Sequence, residues 1–74
     1  MNSTSQIHIT LNGQPQSIPA DGDVRALLRW LKIDPEVGGL AVAINAAVVP
    51  RSKWGQTIVA PGADVEVVRA TAGG

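Results

Sequence analysis

The 74-residue chain contains no cysteine, no phenylalanine and no tyrosine, and each absence narrows what it can do. Without cysteine there is neither a disulfide nor a thiolate metal site, and the chain cannot itself hold sulfur as a thiol or persulfide. With Trp30 and Trp54 as the only aromatics, its core must be packed from Val, Ile, Leu and Ala. Six basic residues cancel six acidic ones, which leaves neither the basic stripe nor the stacking platform that nucleic-acid binding uses. No apolar run approaches the ~20 residues that span a bilayer. The opening stretch, Met1 to Gln6, is polar and uncharged, unlike a signal peptide. The expectation is a soluble cytoplasmic protein with no nucleic-acid or membrane partner. Catalytic groupings are missing too: no Ser/His/Asp set, no CxxC, no carboxylate pair on one helix face and no phosphate-binding glycine loop. A protein that is not itself an enzyme, with no bound cofactor or metal, fits this inventory.

What is present reads as one small α+β domain over residues 1–74, near the lower size limit for an independent core. Ile7-His8-Ile9-Thr10-Leu11 alternates apolar and polar, as a strand with one buried face does. Asn12-Gly13 is a strong hairpin signal because both residues tolerate positive φ. Gln16-Ser17-Ile18 is the return strand, confined to an edge by Pro15 and Pro19. Asp23 is a good helix N-cap. Val24, Leu27, Leu28 and Leu31 follow at i, i+3, i+4 and i+7, forming one apolar stripe. Arg25, Arg29 and Lys32 share the opposite side, either as a solvated face or as a dock for an acidic partner. Asp34-Pro35 is expected to end the helix, since the residue before proline avoids α geometry.

Leu40-Ala41-Val42-Ala43-Ile44 is an almost unbroken apolar strand and so belongs inside the sheet. Asn45-Ala46-Ala47 turns the chain, Val48-Val49 continues briefly, and Arg51-Ser52-Lys53-Trp54 forms a single helical turn. Pro61-Gly62 is a second turn, and Asp64 to Arg69 is the last alternating strand. The expected core is Ile7, Ile9, Leu11, Val24, Leu27, Leu28, Leu31, Val42, Ile44, Val65 and Val67. One helix on a small mixed sheet, with the first and last strands parallel at its centre, is the β-grasp or ubiquitin-like arrangement. If Val42, Ile44, Val65 and Val67 point inward, Ala41, Ala43, Val68 and Ala70 make a flat patch of small side chains on the open face. Patches of that sort mark partner surfaces.

The chain finishes Ala70-Thr71-Ala72-Gly73-Gly74. Nothing there is large and apolar, and ordering each backbone costs ~1–2 kcal/mol, so residues 70–74 are expected to form a flexible tail. Gly73 and Gly74 lack a Cβ and can enter a slot too narrow for side chains. The Gly74 α-carboxylate is ionised at neutral pH, and five extended residues carry it about 17 Å from the fold. The reading is a reactive oxygen on a thin tether.

The combination Ala43-Ile44-Asn45, Val48-Val49-Pro50-Arg51, Trp54 and terminal Gly73-Gly74 resembles the thiamine-pathway sulfur carrier family, ThiS, from about Ile7 to the end of the chain. The helix segment Asp23-Val24 with Leu27, Leu28 and Leu31 fits as well. Departures are Pro61-Gly62-Ala63-Asp64 in place of an Asp-Gly-Asp type turn, and the small residues before Gly-Gly. The resemblance implies that an E1-like, ThiF-type enzyme uses ATP to adenylate Gly74. A persulfide sulfur donor then converts the adenylate to a thiocarboxylate, and thiazole synthase receives the sulfur. It also implies a carrier that is monomeric when free, with Gly73 and Ala72 as the tail that enters the partner. Two alternatives stay open on sequence: a related carrier for molybdopterin or cysteine synthesis, and a ubiquitin-like interaction domain whose Gly-Gly is incidental.

Overall fold

The computed structural model describes residues 5–70. Five strands form one sheet: β1 (Gln6–Leu11), β2 (Gln14–Pro19), β3 (Leu40–Ile44), β4 (Ala47–Val49) and β5 (Asp64–Arg69). One helix, α1 (Val24–Trp30), covers one face, and a 3₁₀ helix (Arg51–Gln56) packs against α1. The spatial order is β2-β1-β5-β3-β4, so the last strand in sequence is the middle strand of the sheet. β1 and β5 run parallel, with Thr10 beside Asp64 and Leu11 beside Val65. All other pairings are antiparallel.

Local chemistry accounts for most of these elements. Asn12 and Gly13 sit at φ 51° and 81°, the two left-handed residues that a tight hairpin matching the strand twist requires. β2 carries both Pro15 and Pro19 and lies on the sheet edge, where a missing N–H costs no ladder bond. Asp23 caps α1 by accepting the Ala26 N–H at 2.8 Å, as its type and position predict. The stripe then buries Val24, Leu27 and Leu28 against Ile9, Ile18, Val42 and Val65.

The helix stops earlier than its sequence suggests. Asp34-Pro35 was the expected terminator, yet α1 ends at Trp30 and Lys32 already lies at φ 65°. The Lys32 N–H donates to the Arg29 carbonyl at 2.9 Å and the Ile33 N–H to the Leu28 carbonyl at 2.8 Å. This is the paired closure of a Schellman motif, with lysine where glycine is usual. A non-glycine residue there costs ~1–2 kcal/mol, and the partly buried Ile33, folded back onto the core, offsets it. Asp34 takes a different role and accepts the Glu36 N–H in a turn. The basic trio is also divided: Arg25 pairs with Glu36, and Lys32 lies outside the helix.

Every residue of the expected core lies in or against the observed one. The core is larger than expected, adding Ile18, Leu40, Trp54, Val59 and Ala63. Trp54 is the largest side chain among those fully buried, and its indole N–H donates to the Val49 carbonyl at 2.9 Å. Arg51 stacks on it, with the guanidinium 4.6 Å from the ring centroid, while donating to the carbonyls of Pro35 and Val37. That fork ties the 3₁₀ helix to the α1–β3 connection. Residues 57–59 tie the same region to the helix start, through Val24 N–H to Thr57 and Val59 N–H to Gly22.

Leu28 is fully buried at the centre of the helix–sheet contact. Leu28→Ala is expected to lower unfolding free energy by ~2–5 kcal/mol, read from denaturant titration. A loss below about half a kilocalorie would mean that the helix does not use this face.

Candidate functional site

β5 is the element from which the tail continues, and the structure fastens it at both ends. At its start, the Asp64 N–H donates to the Asn45 side-chain carbonyl at 3.0 Å, and the Asn45 N–H returns to the Asp64 carbonyl at 2.8 Å. Asn45 can do this because it lies in a tight turn with Ala46, both at positive φ. Further along, β1 runs out before β5 does. There Asn12 substitutes its side chain for a strand neighbour: its Oδ1 accepts the Val67 N–H at 2.9 Å, and its Nδ2 donates to the Val67 carbonyl at 3.2 Å. The same residue donates its own N–H to Val65. On the other side, the Ala70 N–H donates to the Gly39 carbonyl at 2.8 Å, continuing the β3–β5 ladder past Arg69.

Ala70, the first residue of the expected tail 70–74, is therefore paired to Gly39. The remaining tail positions, Thr71, Ala72, Gly73 and Gly74, lie outside the described residues.

The open face of the sheet falls into two halves. Over β2 and β1 it is polar: the Ser17 hydroxyl is 3.1 Å from His8 Nδ1, and the Thr10 hydroxyl donates to Asp64 at 3.0 Å. Both contacts are local cross-strand pairs, and His8 is an exposed surface residue, as its strand position predicts. Over β3, β4 and β5 the face carries alanines and valines around one exposed carboxylate, Glu66. Ala41 lies opposite Val68, and Ala43 lies between Val48 and Glu66. Ala41 and Ala70 are exposed, Ala43 is half-buried, and Val68 is 59% exposed. The register therefore brings Ala41, Ala43 and Val68 together on the outer side, with Ala70 one rung further along. It adds Val48, at 75% exposure the most exposed large hydrophobic residue among those described. Strict alternation along a three-residue strand gave too short a signal to place Val48 beforehand.

Chemically, this region is a scaffold and a surface. No described residue buries a charged or polar side chain, and neither of two concave grooves on the surface is lined by a residue of β5. One groove lies between α1 and the end of β2, the other beneath β4. The motif residues that gave the resemblance also have structural duties. Asn45 ties down the start of β5, Val49 and Trp54 share a hydrogen bond, and Arg51 clamps the α1–β3 connection. No helix among the described residues is long and apolar enough to cross a membrane.

Comparison with known proteins agrees with this architecture along nearly the whole chain. The ThiS family matches residues 9–74. The sulfur carrier protein ThiS of Escherichia coli (strain K12) is 37% identical over 68 residues, covering 92% of this chain and all of that protein. The crystal structure of the thiamine biosynthesis protein ThiS from Geobacter metallireducens superposes with a TM-score of 0.78 at 28% identity, covering 92% of this chain and all of that one. The fold is therefore the ubiquitin-like β-grasp, and the chain belongs to the ThiS family.

Proposed function

We propose that this chain is a sulfur carrier for thiazole formation in thiamine biosynthesis, with Gly74 as the residue that bears the sulfur. The observation that carries the reading is the extent of the family match, which runs through Gly73 and Gly74 at its far end. The E. coli relative, whose name is sulfur carrier protein ThiS, is covered over its entire length.

The chemistry follows from what a carboxylate lacks. It is a poor acyl donor because its leaving group is oxide. Attack of a Gly74 oxygen on the α-phosphorus of ATP, with loss of pyrophosphate, gives an acyl-adenylate whose leaving group is AMP. A persulfide sulfur then attacks the acyl carbon and AMP departs. A thiol cleaves the resulting S–S bond, leaving a thiocarboxylate on the chain and a disulfide on the donor. Stabilising the phosphoryl transfer is the task of the ThiF-type adenylating enzyme that binds ATP. Thiazole synthase accepts the sulfur. In this scheme the chain is the group-bearing substrate of cytoplasmic enzymes and not a catalyst.

The partner surface in this proposal is the small-residue half of the open face: Ala41, Ala43, Val68 and Ala70, with Val48 beside them. Side chains this short let a partner approach the sheet closely, and the ladder beneath makes the surface flat. Ala43→Arg is expected to weaken binding to the adenylating enzyme at least about tenfold, with the thermal melt unchanged. Unfolding on this substitution would mean that the two faces of β3 had been exchanged.

The direct test is to incubate the intact chain with a ThiF-type enzyme, ATP and a persulfide donor and to read its intact mass. The expected result is a shift equal to exchange of one oxygen for sulfur. Deleting Gly74 should abolish that shift, because the carboxylate retreats by ~3.5 Å. An unchanged mass, with an enzyme shown to be active on another carrier, would sink the proposal.

A further inference from the structure

The α1–β3 connection ends on Gly39, whose backbone lies directly against Ala70. Gly39 has φ 77°, and a Cβ added to it would stand 2.7 Å from the Ala70 carbonyl oxygen and 3.6 Å from its carbonyl carbon. The atoms in the way are backbone, so no side-chain rotation relieves the collision. The neighbouring Gly38 meets nothing within 4 Å. Gly13 and Gly62 share a positive φ, at 81° and 82°, but have open space where a Cβ would go. Among the described glycines, Gly39 alone combines a left-handed backbone with a backbone collision.

The platform behind Gly39 is stiff. Pro35 is buried, the Asp34 carboxylate accepts the Glu36 N–H, and the Arg51 guanidinium donates to the carbonyls of Pro35 and Val37. A side chain at position 39 would therefore push Ala70 away and leave the connection in place. The Ala70 N–H bond to the Gly39 carbonyl would be lost with it.

We infer that Gly39 is a positioning residue for the carrier reaction: its bare backbone lets Ala70 dock in the ladder, and that rung fixes the point from which residues 71–74 are presented to the adenylating enzyme. This rests on the function proposed above. Releasing Ala70 adds a residue that must be ordered before the Gly74 carboxylate meets ATP. Ordering one backbone corresponds to about tenfold in rate, and misplacement of a reacting atom by about 1 Å reaches a hundredfold. Of the proposed docking residues only Ala70 is displaced, while Ala41, Ala43 and Val68 keep their places in the β3–β5 register, so the large loss belongs to kcat and only a small one to the KM for the carrier.

Three glycine variants separate positioning from general damage. Gly39→Ala should lose hydrogen-exchange protection at the Ala70 amide and show a kcat for thiocarboxylate formation about tenfold lower or worse, with KM within about twofold. Gly13→Ala carries the same backbone strain without touching Ala70 and should lose thermal stability while keeping kcat. Gly38→Ala should match the wild type in both. If Gly39→Ala fails to fold, Ala70→Pro removes the donor from the other side of the bond, beyond the last residue of β5, and should reproduce the fall in kcat. Retained Ala70 protection with wild-type kcat in Gly39→Ala would overturn the inference. So would a kcat loss shared equally by Gly13→Ala. Failure of the proposed function reads differently: the wild-type chain itself gains no sulfur, while the exchange measurement still reports whether Gly39 holds Ala70.

Discussion

The structure depends on one strand being held from both sides. β5 is last in sequence and central in space, and Val65 on its inner face is fully buried against the helix. A central parallel pairing between the first and last strands closes only after the whole chain has been threaded, so its loop-closure entropy must be met by contacts made late. Those contacts are concentrated at β5: two asparagine side chains, Asn45 at its start and Asn12 toward its end, and the Gly39 carbonyl beyond it. A strand fastened in this way gives whatever follows it a fixed origin. For a carrier, that is the mechanical requirement, because a reactive group on a tether is useful only if the base of the tether is in a known place.

Sequence patterns exposed the elements whose signals are local. The hairpin at Asn12-Gly13, the cap at Asp23, the stripe from Val24 to Leu31 and the alternation of β5 are each decided by residues a few positions apart. What stayed hidden was decided by distant partners. The helix stop at Lys32 could not be read because lysine is a poor left-handed residue, and only the burial of Ile33 makes the closure favourable. Trp54 sits in a short 3₁₀ segment with no periodicity to declare an inner face, so its burial depends on the Val49 carbonyl and the Arg51 stack. Ile58 and Val59 carry no pattern of their own and are placed by bridging to the helix start.

The candidate site was legible in part for the same reason. Alternation assigned Ala41, Ala43 and Val68 to the open face, and the β3–β5 register brings them together. Val48 entered only once β4 was seen to pair with β3. Asn12 was legible as a turn residue, but its second role, standing in for a missing strand neighbour, required knowing where β1 ends relative to β5. The pair Gly38-Gly39 reads in sequence as loop. The difference between its two members, one beside open space and the other pressed against Ala70, exists only in three dimensions.

In functional terms the fold divides labour between address and cargo. In the function we propose, the outer face of β3 and β5 is the address, Gly74 is the cargo position, and the rung at Gly39 relates the two. If this chain delivers sulfur to thiazole formation, growth of a suitable host reports it. A host lacking its own thiazole sulfur carrier would be given this chain together with an adenylating enzyme shown to act on it. The expected result is growth without added thiazole, abolished by removal of Gly74. Continued dependence on thiazole, while the folded chain accumulates as its thiocarboxylate, would contradict the pathway. Growth supported equally by the chain without Gly74 would contradict the carrier itself.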